Sequence, residues 1–236
     1  MMGRTHIIVG TGISLSLLEL GGIPITVPAV AVALVSSILP DIDEPNSLLV
    51  TRVIPNWLLR IVQIALIILA LAVGIYGMAR SPWNWILAAL IATVSFMPSR
   101  SLRQWIMFFI GLGLIVYGHS LHPWNLLVGS LLILATLVPH RGLTHTLYAI
   151  AVWTFLLYGT TKSYGDAVWI AGGLSYTLHL LADSLTSRGI RPLPPFKWKI
   201  KFKLMSTGSR QGAWVEIFFI GVTFIIAWLS FSPLFL

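Results

Sequence analysis

The chain has no cysteine in its 236 residues. That excludes disulfides and thiolate zinc sites, so any metal site must be built from His and carboxylate side chains. Charge is scarce as well, at 9% of residues against about 25% in an ordinary soluble domain. Acids are scarcest, Asp+Glu numbering 7 against 15 for Lys+Arg. No polar stretch is long enough for a separate soluble domain, so residues 1–236 read as a single integral membrane domain.

What fills the chain is apolar: 57% hydrophobic residues and a mean hydropathy of +0.90, in runs that recur from end to end. They predict an all-α fold, a polytopic transmembrane bundle of about nine helices, some of them short. The expected helices cover roughly 6–20, 25–39, 56–77, 83–97, 103–118, 124–138, 143–159, 166–187 and 213–231. Gly21-Gly22, Pro82, Pro98, Pro123, Pro139 and Gly165 supply the breaks. No repeat stands out along the chain. The opening MMGRTH lacks an A-x-A-like cleavage site after its apolar run and reads as the start of the first helix.

The net charge of +8 fits anionic lipid headgroups rather than nucleic acid in so apolar a chain. Arg188, Arg191, Lys197, Lys199, Lys201, Lys203 and Arg210 crowd into residues 188–212, which places that loop in the cytoplasm. Threading alternating helices outward from it leaves only Arg80 and Lys162 on the far side. The N-terminus is then cytoplasmic and the C-terminus extracytoplasmic.

The same threading sorts the His and acidic residues. His6, the group Asp41, Asp43 and Glu44, the pair His140 and His145, and the pair His179 and Asp183 all reach the cytoplasmic face from four distant segments. His119 and His122 go to the other side. His179 and Asp183 are four apart on one helix and share a face. In LPDID, Pro40 disfavours continued helix, and in an extended segment Asp41 and Asp43 would point the same way. In VPHRGLTH the Arg-Gly pair implies a turn that brings His140 and His145 to one point, with Thr144 as the expected cap of the following helix. Glu216 is expected to pair with Arg210 or to snorkel. Taken singly, these pieces have ordinary readings as a bundle hydrogen bond, a solvated turn and a basic interfacial turn. Their coincidence at one face singles them out. A cysteine-free His/Asp cluster suits one or two Zn²⁺, Mn²⁺ or Fe²⁺ ions, which would acidify a bridging water and clamp a phosphoryl or acyl oxygen. Arg141 offers a planar fork for phosphate.

An early His, LPDID followed by Pro45 and Ser47, PHRGLTHT, and YTLHLLADSLTSRGI together resemble the YdjM family of membrane-bound metal-dependent hydrolases, some of them regulated by LexA. The resemblance runs from His6 to Gly189. It implies His6, Asp41, Asp43, His140, His145, His179 and Asp183 as metal-binding or catalytic positions, with Arg141, Thr144 and Thr186 in support. It leaves 56–123 as variable scaffold. The expected function is a metal-dependent hydrolase at the cytoplasmic membrane face, acting on a phosphorylated lipid or other phosphoester. Asp43 or Glu44 would accept the proton and Arg141 would hold the phosphate. The alternatives are a divalent-metal transporter and a structural or regulatory metal site. HExxH and GxSxG are both absent, which disfavours an intramembrane protease.

Overall fold

The computed structural model describes residues 2–44, 47–122, 124–137 and 142–232. These residues form ten α-helices and no strand: α1 Gly3–Leu20, α2 Val27–Ser36, α3 Leu48–Val53, α4 Asn56–Tyr76, α5 Trp83–Ser95, α6 Ser99–Tyr117, α7 Trp124–Leu137, α8 Leu147–Thr161, α9 Asp166–Ser184 and α10 Arg210–Phe231. Nine match the helices expected from the apolar runs. The tenth, α3, is a single-turn-and-a-half piece that no long apolar run announces. α4 and α10 are each long and apolar enough to cross a bilayer, and α5 with α6, meeting at 109°, would make a third crossing. α1 and α9 are of similar length but carry Ser, Thr, His and Asp, because they face each other rather than lipid.

The chain divides into two compact units, residues 1–43 with 138–236, and residues 44–137. In the first, α9 lies against α1, α2 and α8, and α10 packs along α1. Its core is small and tight: Ala29, Ala33, Ala167, Val168 and Ala171 around Leu18. Small residues let helix backbones approach closely, as membrane bundles require when the hydrophobic effect gives helix association no drive. A polar seam runs through the contact, where the Ser14 and Ser175 hydroxyls bond at 2.8 Å and Ser175 donates to the Gly10 carbonyl at 3.3 Å. Thr26 caps α2, which ends at Ser36, and a 3₁₀ turn follows over Leu39–Asp43. Glu216 of α10 accepts from the Thr5 hydroxyl at 2.7 Å and the Met2 amide at 2.9 Å. It therefore holds the first turn of α1, next to His6, in place of the expected pairing with Arg210.

In the second unit α4 pairs with α5 and α6 with α7. The two hairpins are copies of one design. Both read Y-G-x-x-x-x-P-W-N, as YGMARSPWN from Tyr76 and YGHSLHPWN from Tyr117. In both, a 3₁₀ turn follows the glycine, over Met78–Arg80 and His119–Leu121. The asparagine then reaches back: Asn84 donates to the Gly74 carbonyl at 2.8 Å and Asn125 to the Leu114 carbonyl at 3.3 Å. A Cβ at Gly77 would lie 2.8 Å from Asn84 Cβ, and one at Gly118 would lie 2.9 Å from Asn125 Cβ. That closeness accounts for the glycine in both copies. The match continues in the sequence at the same offset from PSRSL (Pro98–Leu102) to PHRGL (139–143), with Ser99 in the place of His140.

Candidate metal centre

Four short segments of the first unit deliver the cluster. The first turn of α1 carries His6, the turn after α2 carries Asp41, the 3₁₀ turn Leu143–His145 carries His145, and the last turns of α9 carry His179 and Asp183. His6, His145, His179 and Asp183 are no more than 2% exposed. Asp41 is the most open, its side chain 24% exposed. Ligand atoms of His6, Asp41 and His179 lie within 4.8 Å of one another, and so do those of His145, His179 and Asp183. His179 belongs to both sets. Its ring stacks on His6 at 3.8 Å and meets His145 edge-on at 5.5 Å.

Hydrogen-bond partners fix which nitrogen of two rings faces inward. His179 Nδ1 sits 2.7 Å from the Ser37 carbonyl, which can only accept, so Nδ1 carries the hydrogen. Thr144 spends its one hydroxyl hydrogen on Asp43 Oδ2 at 2.7 Å, so its contact with His145 Nδ1 at 2.9 Å must be donated by the ring. Tyr176 pins the Thr144 carbonyl at 2.7 Å. In the neutral rings both Nε2 atoms then bear lone pairs directed at carboxylate oxygens. His145 Nε2 is 3.5 Å from Asp41 Oδ1 and 3.4 Å from Asp183 Oδ2, and His179 Nε2 is 3.7 Å from Asp41 Oδ1. Acceptor facing acceptor in a buried place calls for a positive charge between them. His179 Nε2 is buried with no hydrogen-bond partner among the described residues. Three imidazole nitrogens and two carboxylates, with the ring hydrogens of His145 and His179 anchored behind, are a donor set that fits a divalent transition metal.

Without a metal, protons must serve. Burial alone would raise the Asp41 carboxyl, but a hydrogen bond from His145 and the charges of His179, His6 and His145 hold it well below the usual carboxylate range. Burial would lower His145, yet its hydrogen bonds and charge attraction to Asp183 and Asp41 push it up to about 9. The metal-free cluster thus stores a proton on His145 at neutral pH, where a cation would compete for the same Nε2 lone pair.

The acids of DIDE part company. The segment is a 3₁₀ turn rather than an extended stretch, and at about three residues per turn two positions apart cannot share a face. Asp41 faces His145 and His179, whereas Asp43, buried, accepts from Thr144 and sits behind the His145 ring. Glu44 belongs to the second unit, where it lies 3.7 Å from Arg100. His140 and Arg141 lie outside the described residues. Thr144 is not the cap of α8; Thr146 is, accepting from the Ala149 amide at 3.2 Å. Thr144 is thereby left to bridge Asp43 and His145. Thr186 turns its hydroxyl back to the Asp183 carbonyl at 2.7 Å and steadies the end of α9. Ser37 was not among the residues expected from the sequence, because a carbonyl that anchors a ring carries no side-chain signal.

Thr144 supports a direct prediction. Thr144→Val removes the hydroxyl that fixes the His145 tautomer and should weaken divalent-metal binding by about 10- to 100-fold, with Thr144→Ser restoring it. Competition with a metallochromic chelator on the purified protein measures this, and equal affinity in Thr144→Val would detach Thr144 from the site.

A helical membrane protein with a buried His/Asp cluster is the class this fold defines. The chain belongs to the YdjM inner membrane protein family, whose model matches residues 1–235. No curated protein and no solved structure matches it.

Proposed function

We propose that the chain is a metal-dependent hydrolase working at the cytoplasmic face of the membrane on a phosphorylated lipid or other phosphoester. The observation that carries this reading is the pair of fixed tautomers: His145 and His179 both present Nε2 toward Asp41 and Asp183, their ring hydrogens engaged by Thr144 and the Ser37 carbonyl. His6, His145, His179, Asp41 and Asp183 would hold one or two ions of Zn²⁺, Mn²⁺ or Fe²⁺. Bound there, a metal supplies Lewis acidity toward a phosphoryl oxygen and makes water a nucleophile near neutral pH. The chain's own part is positional. Asp183 bridges His6 and His145, at 3.5 Å and 3.4 Å, and keeps both rings turned inward. Asp41, the open member, marks the side from which a substrate would arrive. Asp43 acts through Thr144 on His145 rather than on the substrate.

The test is phosphate or headgroup release from lipid phosphates by the purified protein with Zn²⁺, Mn²⁺ or Fe²⁺ added. Release should need metal, stop on chelation, and fall by at least about 100-fold in Asp183→Asn. No release from any phosphorylated lipid, with each metal in turn, would overturn the hydrolase reading. Deep burial of His6, His145 and His179 supports a second reading, a structural metal site. Metal would then raise the unfolding temperature without any turnover.

A further inference from the structure

The loop between α9 and α10 holds a feature that the metal centre does not use. Residues 196–204 read FKWKIKFKL, apolar and Lys in strict alternation, and no acid occurs from Ser184 to Val215. From Ile200 onward alternate backbone amides are hydrogen-bonded to the protein. Ile200 exchanges both backbone hydrogen bonds with Ile190 at 3.0 Å, Phe202 donates to the Ser184 carbonyl at 2.9 Å, and Leu204 donates to the Leu185 carbonyl at 2.9 Å. Amides at 200, 202 and 204 thus turn toward the protein in step. From Ile200 to Phe202 the period of two sets Lys201 opposite its apolar neighbours, up to Lys203, whose φ of 54° ends the run.

Phe196, Trp198, Phe202 and Leu204 are each more than half exposed, and none of the four lysines meets a carboxylate among the described residues. A row of exposed rings backed by unpaired cations is an unfavourable surface in water and a favourable one at a bilayer interface. Rings sit at headgroup depth there, and lysines reach anionic phosphates. Position on the chain agrees. Leu204 is followed within a few residues by Arg210, the first residue of α10, a helix long and apolar enough to cross the membrane. Trp214, in the first turns of α10, is exposed as well.

We propose that residues 196–204 are a docking ribbon for an anionic lipid surface, with Phe196, Trp198 and Phe202 seated among the headgroups and Lys197, Lys199, Lys201 and Lys203 on their phosphates. Because the ribbon is hydrogen-bonded to Ser184 and Leu185, directly after Asp183, its seating sets the depth of the end of α9. The ribbon stands whether or not the His/Asp cluster holds metal.

The cysteine-free sequence makes the test clean. Trp198→Cys, Phe202→Cys and, as a reference on the same loop, Thr207→Cys are each labelled with an environment-sensitive dye. The full chain is then reconstituted in vesicles of phosphatidylcholine alone or with phosphatidylglycerol. In the anionic vesicles the labels at 198 and 202 should emit to the blue of the one at 207, be quenched by headgroup-depth spin-labelled lipid, and be at least about threefold less open to acrylamide. Replacing all four lysines with Gln should return both labels toward their state in neutral vesicles. Equal acrylamide quenching at 198, 202 and 207 in anionic vesicles would overturn the proposal. So would protection unaffected by the Lys→Gln changes, or protection conferred by single-stranded RNA in place of lipid. Two reporter positions guard against one substitution disturbing the loop.

Discussion

His179→Gln should lower the affinity of the purified chain for Zn²⁺, Mn²⁺ or Fe²⁺ by at least about 100-fold, while leaving the helices in place. His179 is the residue common to both sets of ligand atoms, so its loss breaks both together. Its Nδ1 hydrogen is anchored on the Ser37 carbonyl at 2.7 Å, so the ring is held with Nε2 toward the other ligands. Removing a ligand's hydrogen-bond partner typically costs 10- to 100-fold, and removing the ligand itself costs more. Gln keeps a donor for Ser37 and most of the volume, which separates lost ligation from a collapsed core. Chelator competition reads the affinity and circular dichroism the helix content. Unchanged affinity would mean that the cluster is not a metal centre.

Gly172→Val should destabilise the first unit by about 1–3 kcal/mol and weaken metal binding with it. A Cβ at Gly172 would lie 2.3 Å from Leu157 Cδ1, 2.8 Å from Val32 Cγ1 and 3.2 Å from Ser36 Oγ. Leu157 could swing aside, but α2 on the other flank presents both the branched Val32 and Ser36, whose hydroxyl accepts from Trp153 at 2.9 Å. Pushing α9 off α2 also separates His179 from the Ser37 carbonyl one residue beyond Ser36. Gly159→Ala on α8, where nothing lies within 4 Å, is the control and should leave stability unchanged or slightly raised. Thermal unfolding in detergent compares the two; equal midpoints would show that the α2–α9 contact is not tight.

How much of this could be read from the sequence depended on the kind of signal. Helices announced by long apolar runs and ended by Pro or Gly appear within a few residues of their expected bounds. α2 ends at Ser36, a few residues before Pro40, which lies in the 3₁₀ turn that follows. The turn that follows was harder. Its 3₁₀ geometry, which sends Asp41 and Asp43 different ways, is set by packing against α9 and the Leu143–His145 turn, and nothing in LPDID chooses it over an extended path. Thr144 and Thr146 flank His145 and are equally good caps by type, so only the fold reveals which one caps α8 and which one orients the ring. The twin hairpins do not stand out in the sequence because their helices are interchangeable apolar residues. The repeat lives in a few positions, Gly77 with Asn84 and Gly118 with Asn125, where two backbones touch. Gathering His6, Asp41, His145, His179 and Asp183 was legible because scarce polar residues in a greasy chain must find one another. The ring tautomers behind them were not, since a carbonyl such as that of Ser37 is present at every residue.

Whether the His/Asp cluster is a metal centre is decided by the metal content of the chain, purified without chelator and dialysed against metal-free buffer. A metal centre there predicts about one or two transition-metal ions per chain in the wild type, and close to none in Asp183→Asn and His179→Gln. Wild-type protein that carries no metal and takes none up from Zn²⁺, Mn²⁺ or Fe²⁺ solutions would contradict it, as would variants that keep the full complement.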